Sequence, residues 1–177
     1  GELSGVAGVR YTMGLILAST TVQLQQLGEA FQRLGLDGLC VDQVSPAAGC
    51  VADVLGIPHV TIANALAINF DPAVPPPFTA WRHHDSRIAE WRTRTAHFLT
   101  RAPLIPLMRR LNRYRRRYGL APFANSEQRF SRLAQIAQQP ECFDFPRRNP
   151  PADFHCTGPV HIDRDEDADE ALGQLDG

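Results

Sequence analysis

The segment from residue 39 to residue 63 constrains the fold of this chain more than any other. A short apolar run at residues 39–42 is followed by a helical pattern of small and apolar side chains at 46–55, and a second apolar run lies at 59–63. A strand, a helix and a strand within so few residues predict one βαβ unit with parallel strands and a right-handed crossover. We therefore expect an α/β fold built on a parallel sheet.

The ends of the helix in this unit are marked by residues with clear preferences. Ser45 is a favourable N-cap, because its hydroxyl can accept a hydrogen bond from a free amide of the first turn. Pro46 suits the first helical position, where its missing N–H costs nothing. Gly56 is typical of the residue that follows a helix. The helix is therefore predicted to begin at Pro46 and to end before Gly56.

Asp42 is the candidate functional residue of this segment. It stands at the carboxyl end of the first strand, the edge at which ligands bind in open parallel sheets. It could be a structural acid bonded to amides of the turn, or a carboxylate that faces a cleft and orients a histidine base. Ser45 is not predicted to be a hydrolase nucleophile, because Pro46 lacks the N–H that an oxyanion hole requires and the flanking glycines are absent.

Residues 64–81 predict a long ordered loop, because the prolines at 75–77 cannot continue a helix or a central strand. The loop leaves the same edge of the sheet as Asp42, and loops of this length are usually functional. Its aromatic and amide side chains suit a site for a largely apolar small molecule. The alternative is a loop whose aromatic residues only pin it to the core. The candidate binding residues are Asn64, Asn69, Phe70, Phe78 and Trp81.

Helices are predicted on both sides of this unit. In residues 1–35, Thr20 or Thr21 could cap a helix that Gly35 closes, and the apolar segment 13–18 favours helix over strand. Asp85 or Ser86 could cap a later helix whose one face carries Ile88, Trp91, Thr95 and Phe98.

A basic helix is predicted after Pro103, with arginines largely on the face opposite its leucines and tyrosines. These are Arg109, Arg110, Arg113, Arg116 and Arg117. Such a face is usually only solvated. A sharper hypothesis is a peripheral membrane contact through Arg109–Arg117, since basic amphipathic helices lie in lipid interfaces. No nucleic-acid partner is expected, because no recognisable binding module accompanies the arginines.

The remaining segments are shorter. Residues 133–137 predict a strand or the end of a helix, and residues 154–156 predict a last strand that Gly158-Pro159 stops. From Asp163 the composition turns acidic and polar, which is typical of a linker or tail. We therefore predict one domain at residues 1–160 and an acidic linker at residues 161–177.

Composition excludes several kinds of chemistry. All 18 basic residues are arginine, so a phosphate-loop lysine and Schiff-base chemistry are absent from these residues. His83-His84-Asp85 does not predict a metal site, because tandem histidines point apart and no third ligand is suitably spaced. The four cysteines lack C-x-x-C spacing and predict free thiols in a reducing compartment. A reducing compartment predicts a cytoplasmic location. No apolar run approaches the roughly 18 residues of a membrane span, so no segment is expected to cross a bilayer.

Several segments, taken in order, resemble the N-terminal domain of family 1 UDP-glycosyltransferases, and in particular the bacterial zeaxanthin and macrolide glucosyltransferase group. The segments are Asp37–Gly49, Val51-Ala52, Leu55-Gly56-Ile57-Pro58, Asn64-Ala65-Leu66, Pro75–Trp81, Phe143–Arg147 and Phe154–Pro159. The resemblance covers most of the chain from about residue 36 to residue 160. It implies a GT-B enzyme with two Rossmann-like domains, the first binding the acceptor and the second the nucleotide sugar.

The resemblance also implies a reaction. A hexose is transferred from a UDP-sugar to a hydroxyl of an apolar acceptor, such as a hydroxycarotenoid or macrolide, with inversion and without a metal or cofactor. The UDP-sugar is a co-substrate bound mainly by the second domain. A histidine deprotonates the acceptor and an aspartate orients that histidine. Asp42 stands at the aspartate position, and Ser45 is a further candidate contact to the acceptor.

By the same resemblance the chain looks like an incomplete N-terminal domain. The histidine lies on a first strand-loop that this sequence does not contain, and the donor-binding domain would begin just after Gly177. We therefore expect the isolated chain to be inactive in sugar transfer. The alternative is a non-catalytic module that binds an apolar ligand on half of the same fold.

Overall fold

A computed structural model describes residues 5–76, 79, 81, 86–148, 150–151 and 153–159. Its helices are α1 (Gly5–Leu34), α2 (Pro46–Leu55), α3 (Arg87–Arg101) and α4 (Ile105–Arg117). Its strands are β1 (Leu39–Asp42), β2 (His59–Ala63), β3 (Gln135–Ala137) and β4 (Phe154–Cys156). Short 3₁₀ turns lie at Ala102–Leu104, Glu127–Arg129 and Glu141–Phe143. Residues 161–177 lie outside the described part, so the acidic linker stays a prediction.

The described strands form one sheet in the order β1-β2-β3-β4, and every neighbouring pair is parallel. Val41 pairs with Thr61, and Thr61 in turn pairs with Gln135. The predicted α/β fold is confirmed, and residues 133–137 contribute a strand rather than a helix end. Because all strands run the same way, their carboxyl ends share one side of the sheet, which we call the carboxyl edge.

The βαβ unit at residues 39–63 forms as predicted. Helix α2 begins at Pro46 and is followed by Gly56 with a φ of 70°, a left-handed conformation that glycine adopts without strain. The amide of Ile57 then bonds the carbonyl of Ala52 at 2.9 Å, which turns the chain into β2. This short connection places the ends of β1 and β2 side by side.

The main core lies where α1, α2 and α4 pack together. Its buried side chains are Leu24, Phe31, Ala47, Cys50, Val51, Leu107 and Leu111. Burial raises the pKa of Cys50 to about 11, so this thiol is protonated at neutral pH and packs as a small apolar group. All four cysteines are free, as predicted.

Helix α1 begins earlier than predicted. The chain is already helical at Gly5, and segment 13–18 is part of α1, as favoured. Thr20 and Thr21 lie inside this helix, so the prediction that one of them caps it is wrong. Thr20 is buried, and the Thr21 hydroxyl donates to the carbonyl of Leu17 at 2.8 Å. A threonine whose hydroxyl bonds the preceding turn is compatible with a helix interior.

Helix α4 buries Leu107 and Leu111, and its arginines divide into two sets. Arg110 is half-buried and donates to the carbonyl of Leu17 at 3.0 Å, which joins α4 to α1. Arg115 pairs with Asp53 of α2. The exposed arginines of this helix are Arg109, Arg113, Arg116 and Arg117.

Helix α3 is capped by Ser86, as predicted, through a hydrogen bond from the amide of Ala89 at 3.2 Å. The face that carries Ile88, Trp91 and Phe98 lies in solvent, with exposed fractions of 81%, 70% and 73%. The opposite face carries Thr93, which is buried. None of the described helices is both long and apolar enough to cross a membrane.

Candidate functional site

Asp42 is held at the carboxyl edge by hydrogen bonds to both oxygens of its carboxylate. Oδ1 accepts from the backbone N–H of Val44 at 2.8 Å, and Oδ2 accepts from the side-chain amide of Asn64. Because Asn64 directly follows β2, this second bond joins the ends of two neighbouring strands. The hydrogen bond from a turn amide to Asp42, which the structural interpretation of this residue predicts, is therefore present. A carboxylate offers about four lone-pair sites, so the half-exposed Asp42 can accept a further N–H, as the functional interpretation requires.

Ser45 occupies the predicted N-cap of α2, but its hydroxyl makes no capping hydrogen bond. Its backbone angles, φ −112° and ψ 55°, lie outside the extended region from which an N-cap side chain reaches the first-turn amides. The Ser45 carbonyl accepts from the amide of Ala48 at 3.1 Å. The predicted side-chain cap is therefore wrong, although the helix begins where predicted.

Gln43 fixes the loop that leaves β2. Its side chain is buried, its amide nitrogen donates to the carbonyl of Leu66 at 3.0 Å, and its amide oxygen accepts from the backbone N–H of Ile68 at 3.1 Å. A primary amide that donates to one backbone group and accepts from another fixes the positions of both groups. The residue next to Asp42 in sequence therefore sets the path of the loop that contains Asn64 and Asn69.

A cavity of about 210 Å³ lies beside this loop, at the carboxyl ends of β2 and β3. Its lining comes from the loop after β2, from α3 and from the segment after β3. The lining residues are Leu66, Ala67, Ile68, Asn69, Val74, Pro75, Pro76, Thr79, Trp81, His97, Phe143, Asp144 and Phe145. Cavities that hold drug-sized ligands measure roughly 300–1,000 Å³. This one is smaller, so its size suits one end of an extended, largely apolar molecule.

An ion pair braces two walls of the cavity. The Arg147 Nε donates to Asp144 Oδ2 at 2.7 Å, and the two side chains are only 6% and 8% exposed. The other guanidinium nitrogens donate to the carbonyls of Ala67 at 3.1 Å and Asn69 at 3.3 Å. Arg147 therefore joins the segment after β3 to the loop after β2.

His97 contributes the α3 side of the cavity. Its Nε2 lies 2.9 Å from the carbonyl oxygen of Val74, which can only accept, so Nε2 carries the proton. Burial lowers the pKa of His97, which leaves the imidazole neutral at pH 7. The ring of Phe70 packs edge-to-face against it, with centroids 4.8 Å apart.

The predicted site residues divide into two groups. Asp42 and Asn64 form a hydrogen-bonded pair with Ser45 on the adjacent turn, whereas Asn69 and Trp81 line the cavity. Asn69 is buried and donates to the side chain of Gln135 on β3 at 2.7 Å.

Of the two other aromatic candidates of the loop, Phe70 and Phe78, the structure describes only Phe70. Phe70 does not line this cavity; it contacts the His97 ring instead. Phe78 lies outside the described residues, as do His83, His84 and Asp85, so their roles stay predictions.

Sequence reasoning missed the residues that shape the cavity. Gln43 carried a usable signal, because a polar residue directly after an apolar run is expected to be buried and must then find hydrogen-bond partners. Asp144 and Arg147 carried another, namely opposite charges three residues apart in an otherwise turn-rich segment. His97 carried none, since its contact with Val74 bridges distant parts of the chain.

The fold has a solved counterpart. The crystal structure of the glycotransferase of kitacinnamycin matches 93% of this chain and 39% of its own chain, with a TM-score of 0.57 and 14% sequence identity. At this identity the likeness shows the fold alone. No family model matches the chain.

Curated relatives share much more of the sequence. The zeaxanthin glucosyltransferase of Pseudescherichia vulneris is 36% identical over 139 residues, and that of Pantoea ananas is 38% identical over 149 residues. These alignments cover 78% and 81% of this chain. The chain is homologous to glycosyltransferases. It spans 34% of the length of each of these glycosyltransferase relatives, or about one third.

Proposed function

We propose that the chain is the acceptor-binding part of a GT-B glycosyltransferase that transfers a hexose from a UDP-sugar to a hydroxyl of a carotenoid-type acceptor. The observation that carries the proposal is its 36–38% identity to two zeaxanthin glucosyltransferases over about four fifths of its length. The cavity at the carboxyl edge supports it, because parallel sheets bind ligands at this edge.

The cavity defines which part of the acceptor this chain would hold. Its lining is mostly apolar, with Asn69, Thr79, His97 and Asp144 as polar groups, and its 210 Å³ suits one end of a long polyene. A ring that carries a hydroxyl matches this combination, since apolar walls bury the ring and a few polar groups orient the hydroxyl. A macrolide presents a much broader apolar face, and the small cavity therefore favours the carotenoid-type acceptor.

Asp42 is proposed to act through a histidine from the two thirds of the relatives' length that this chain does not match. One imidazole nitrogen takes the proton of the acceptor hydroxyl, and the other donates to the Asp42 carboxylate, which stabilises the imidazolium. The acceptor oxygen then attacks the anomeric carbon and UDP leaves with the electron pair of the broken bond, which inverts the configuration. Val44 and Asn64 keep the carboxylate in position for this contact.

A chimeric enzyme tests the proposal. The matched segment of the Pantoea ananas relative is replaced by the corresponding residues of this chain, and glucoside formation from UDP-glucose and zeaxanthin is followed by chromatography. We expect a zeaxanthin glucoside as product. A folded chimera that still hydrolyses or binds UDP-glucose but forms no glucoside would contradict the proposal. If the isolated chain still bound the acceptor in that case, it would be the non-catalytic binding module.

A further inference from the structure

The outer face of α3 is an unusual surface. Ile88, Trp91, Phe98 and Leu99 are between 65% and 81% exposed, and they follow one another along one side of the helix. We call these four residues the outer face. Scattered exposed apolar side chains are normal, but a continuous set that includes tryptophan and phenylalanine marks a binding surface.

Arginines border the outer face. Arg87, Arg94 and Arg101 recur every seven residues, so they form a line beside the apolar set. All three are exposed. From residue 86 to residue 118 the sequence has ten arginines and a single acid, Glu90. Glu90 is paired with Arg94 at 2.7 Å and with Arg148 at 3.1 Å, so the region keeps a strong positive charge.

We propose that the outer face of α3 docks on a bilayer that contains anionic phospholipid, with Trp91 and Phe98 inserted at the headgroup level and the arginines on lipid phosphates. Apolar and aromatic side chains on one face, flanked by arginine, are the composition of helices that lie in lipid interfaces. A second copy of this chain is a poorer occupant, because it would place one arginine-rich surface against another. The acidic segment 163–177 matches the charge but offers only alanine and leucine to the aromatic side chains.

The proposed membrane contact lies on α3, whereas the sequence predicted a contact through Arg109–Arg117 on α4. On α4, Arg110 and Arg115 bond α1 and α2, and its leucines are buried in the core. That helix therefore has exposed charge but, apart from Ile105, no large apolar side chain that is exposed to the same degree. On α3, by contrast, one side meets the solvent with apolar groups, whereas His97 on another side lines the cavity. Because His97 lies on the side of α3 away from the outer face, a docked α3 would hold the cavity one helix diameter, about 10 Å, from the lipid in which a long apolar acceptor dissolves.

Vesicle partitioning of the 177-residue chain tests the docking without acceptor or sugar, so its outcome is independent of the proposed function. Phosphatidylcholine vesicles are compared with vesicles that also contain phosphatidylglycerol. Each arginine near an anionic surface adds about 1 kcal/mol, so two or more predict at least about tenfold stronger partitioning to the anionic vesicles. High salt is expected to weaken the partitioning to the anionic vesicles. Equal partitioning to both vesicle types would overturn the proposal.

Matched variants locate the contact. Trp91→Gln/Phe98→Gln is expected to lower the partition coefficient by about tenfold or more, because two large apolar groups no longer leave water. Tyr11→Gln/Leu34→Gln is the control, since these exposed residues lie on α1, and it is expected to partition like the original chain. Circular dichroism confirms that both variants are folded. Unchanged partitioning of the α3 variant would overturn the proposal.

The two tryptophans provide a second measurement. Trp81→Phe leaves only Trp91 to emit, and Trp91→Phe leaves only Trp81. With brominated lipids we expect quenching in the first variant and little in the second. The reverse pattern would overturn the proposal. A dimer of this chain that the Trp91→Gln variant dissociates would also overturn it, because the outer face would then bind a second copy.

Discussion

In the chimeric enzyme, Asp42→Asn is expected to lower the turnover number for glucoside formation by about 10²–10⁴-fold, the usual contribution of general-base catalysis. The asparagine has nearly the same shape, but it carries no charge and cannot stabilise the imidazolium. Its amide oxygen can still accept from the N–H of Val44, so the turn is retained. The loss should therefore appear in the turnover number rather than in folding, and thermal melting of the variant checks this.

Two variants at the same edge serve as controls. Ser45→Ala removes a hydroxyl that makes no capping bond but is a candidate contact to the acceptor, so it is expected to leave the turnover number nearly unchanged and to raise only the KM for the acceptor. Asn64→Ala removes one hydrogen bond to the carboxylate and is expected to give an intermediate loss. Kinetics of Asp42→Asn equal to those of the parent chimera would remove Asp42 from the mechanism.

Arg147→Ala is expected to lower the free energy of unfolding of the chain by about 3–5 kcal/mol, because it leaves the buried Asp144 carboxylate without its partner. It also frees the carbonyls of Ala67 and Asn69, which the guanidinium bonds in the structure. The walls of the cavity would then separate, so acceptor binding should weaken as well. Urea unfolding measures the first effect.

The neighbouring arginine is a matched control. Arg148 has a half-exposed side chain and pairs with Glu90, so Arg148→Ala is expected to cost no more than about 1 kcal/mol. The double variant Arg147→Ala/Asp144→Ala should recover part of the loss, because no buried charge is then left unpaired. Equal costs for Arg147→Ala and Arg148→Ala would contradict the role assigned to the buried pair.

The sequence predicted those parts of the fold that are determined by residues close together along the chain. The apolar runs at 39–42 and 59–63, with Pro46 and Gly56 at the ends of the helix between them, set the βαβ unit. The start of α1 was not predictable from threonine alone, because Thr21 satisfies its hydroxyl inside the helix as readily as at a cap. The helix preferences of single residues distinguish such alternatives poorly when tertiary packing determines where a helix begins.

The candidate site was only partly predictable for the same reason. Asp42 and Asn64 follow adjacent strands, so their proximity follows from the parallel pairing. Their direct bond does not follow, nor does the bond from Asn69 to Gln135, which joins residues far apart in sequence. Such contacts depend on the directions that side chains take in the folded chain, and no pattern in one sequence encodes them.

We expect the cavity at the carboxyl edge to bind one end of the acceptor, and a fluorescence titration of this chain measures that binding. In the Trp91→Phe background, Trp81 in the cavity lining is the remaining tryptophan. Detergent-solubilised zeaxanthin is expected to quench its emission in a saturable way.

Two further variants decide whether that quenching reports the cavity. Leu66→Gln/Phe143→Gln changes two exposed lining residues, and we expect it to weaken binding by about tenfold, whereas Leu133→Gln outside the lining should not. Saturable quenching with this pattern is expected when the acceptor occupies the cavity. Quenching that rises linearly with the carotenoid, or that is the same in all variants, would contradict it.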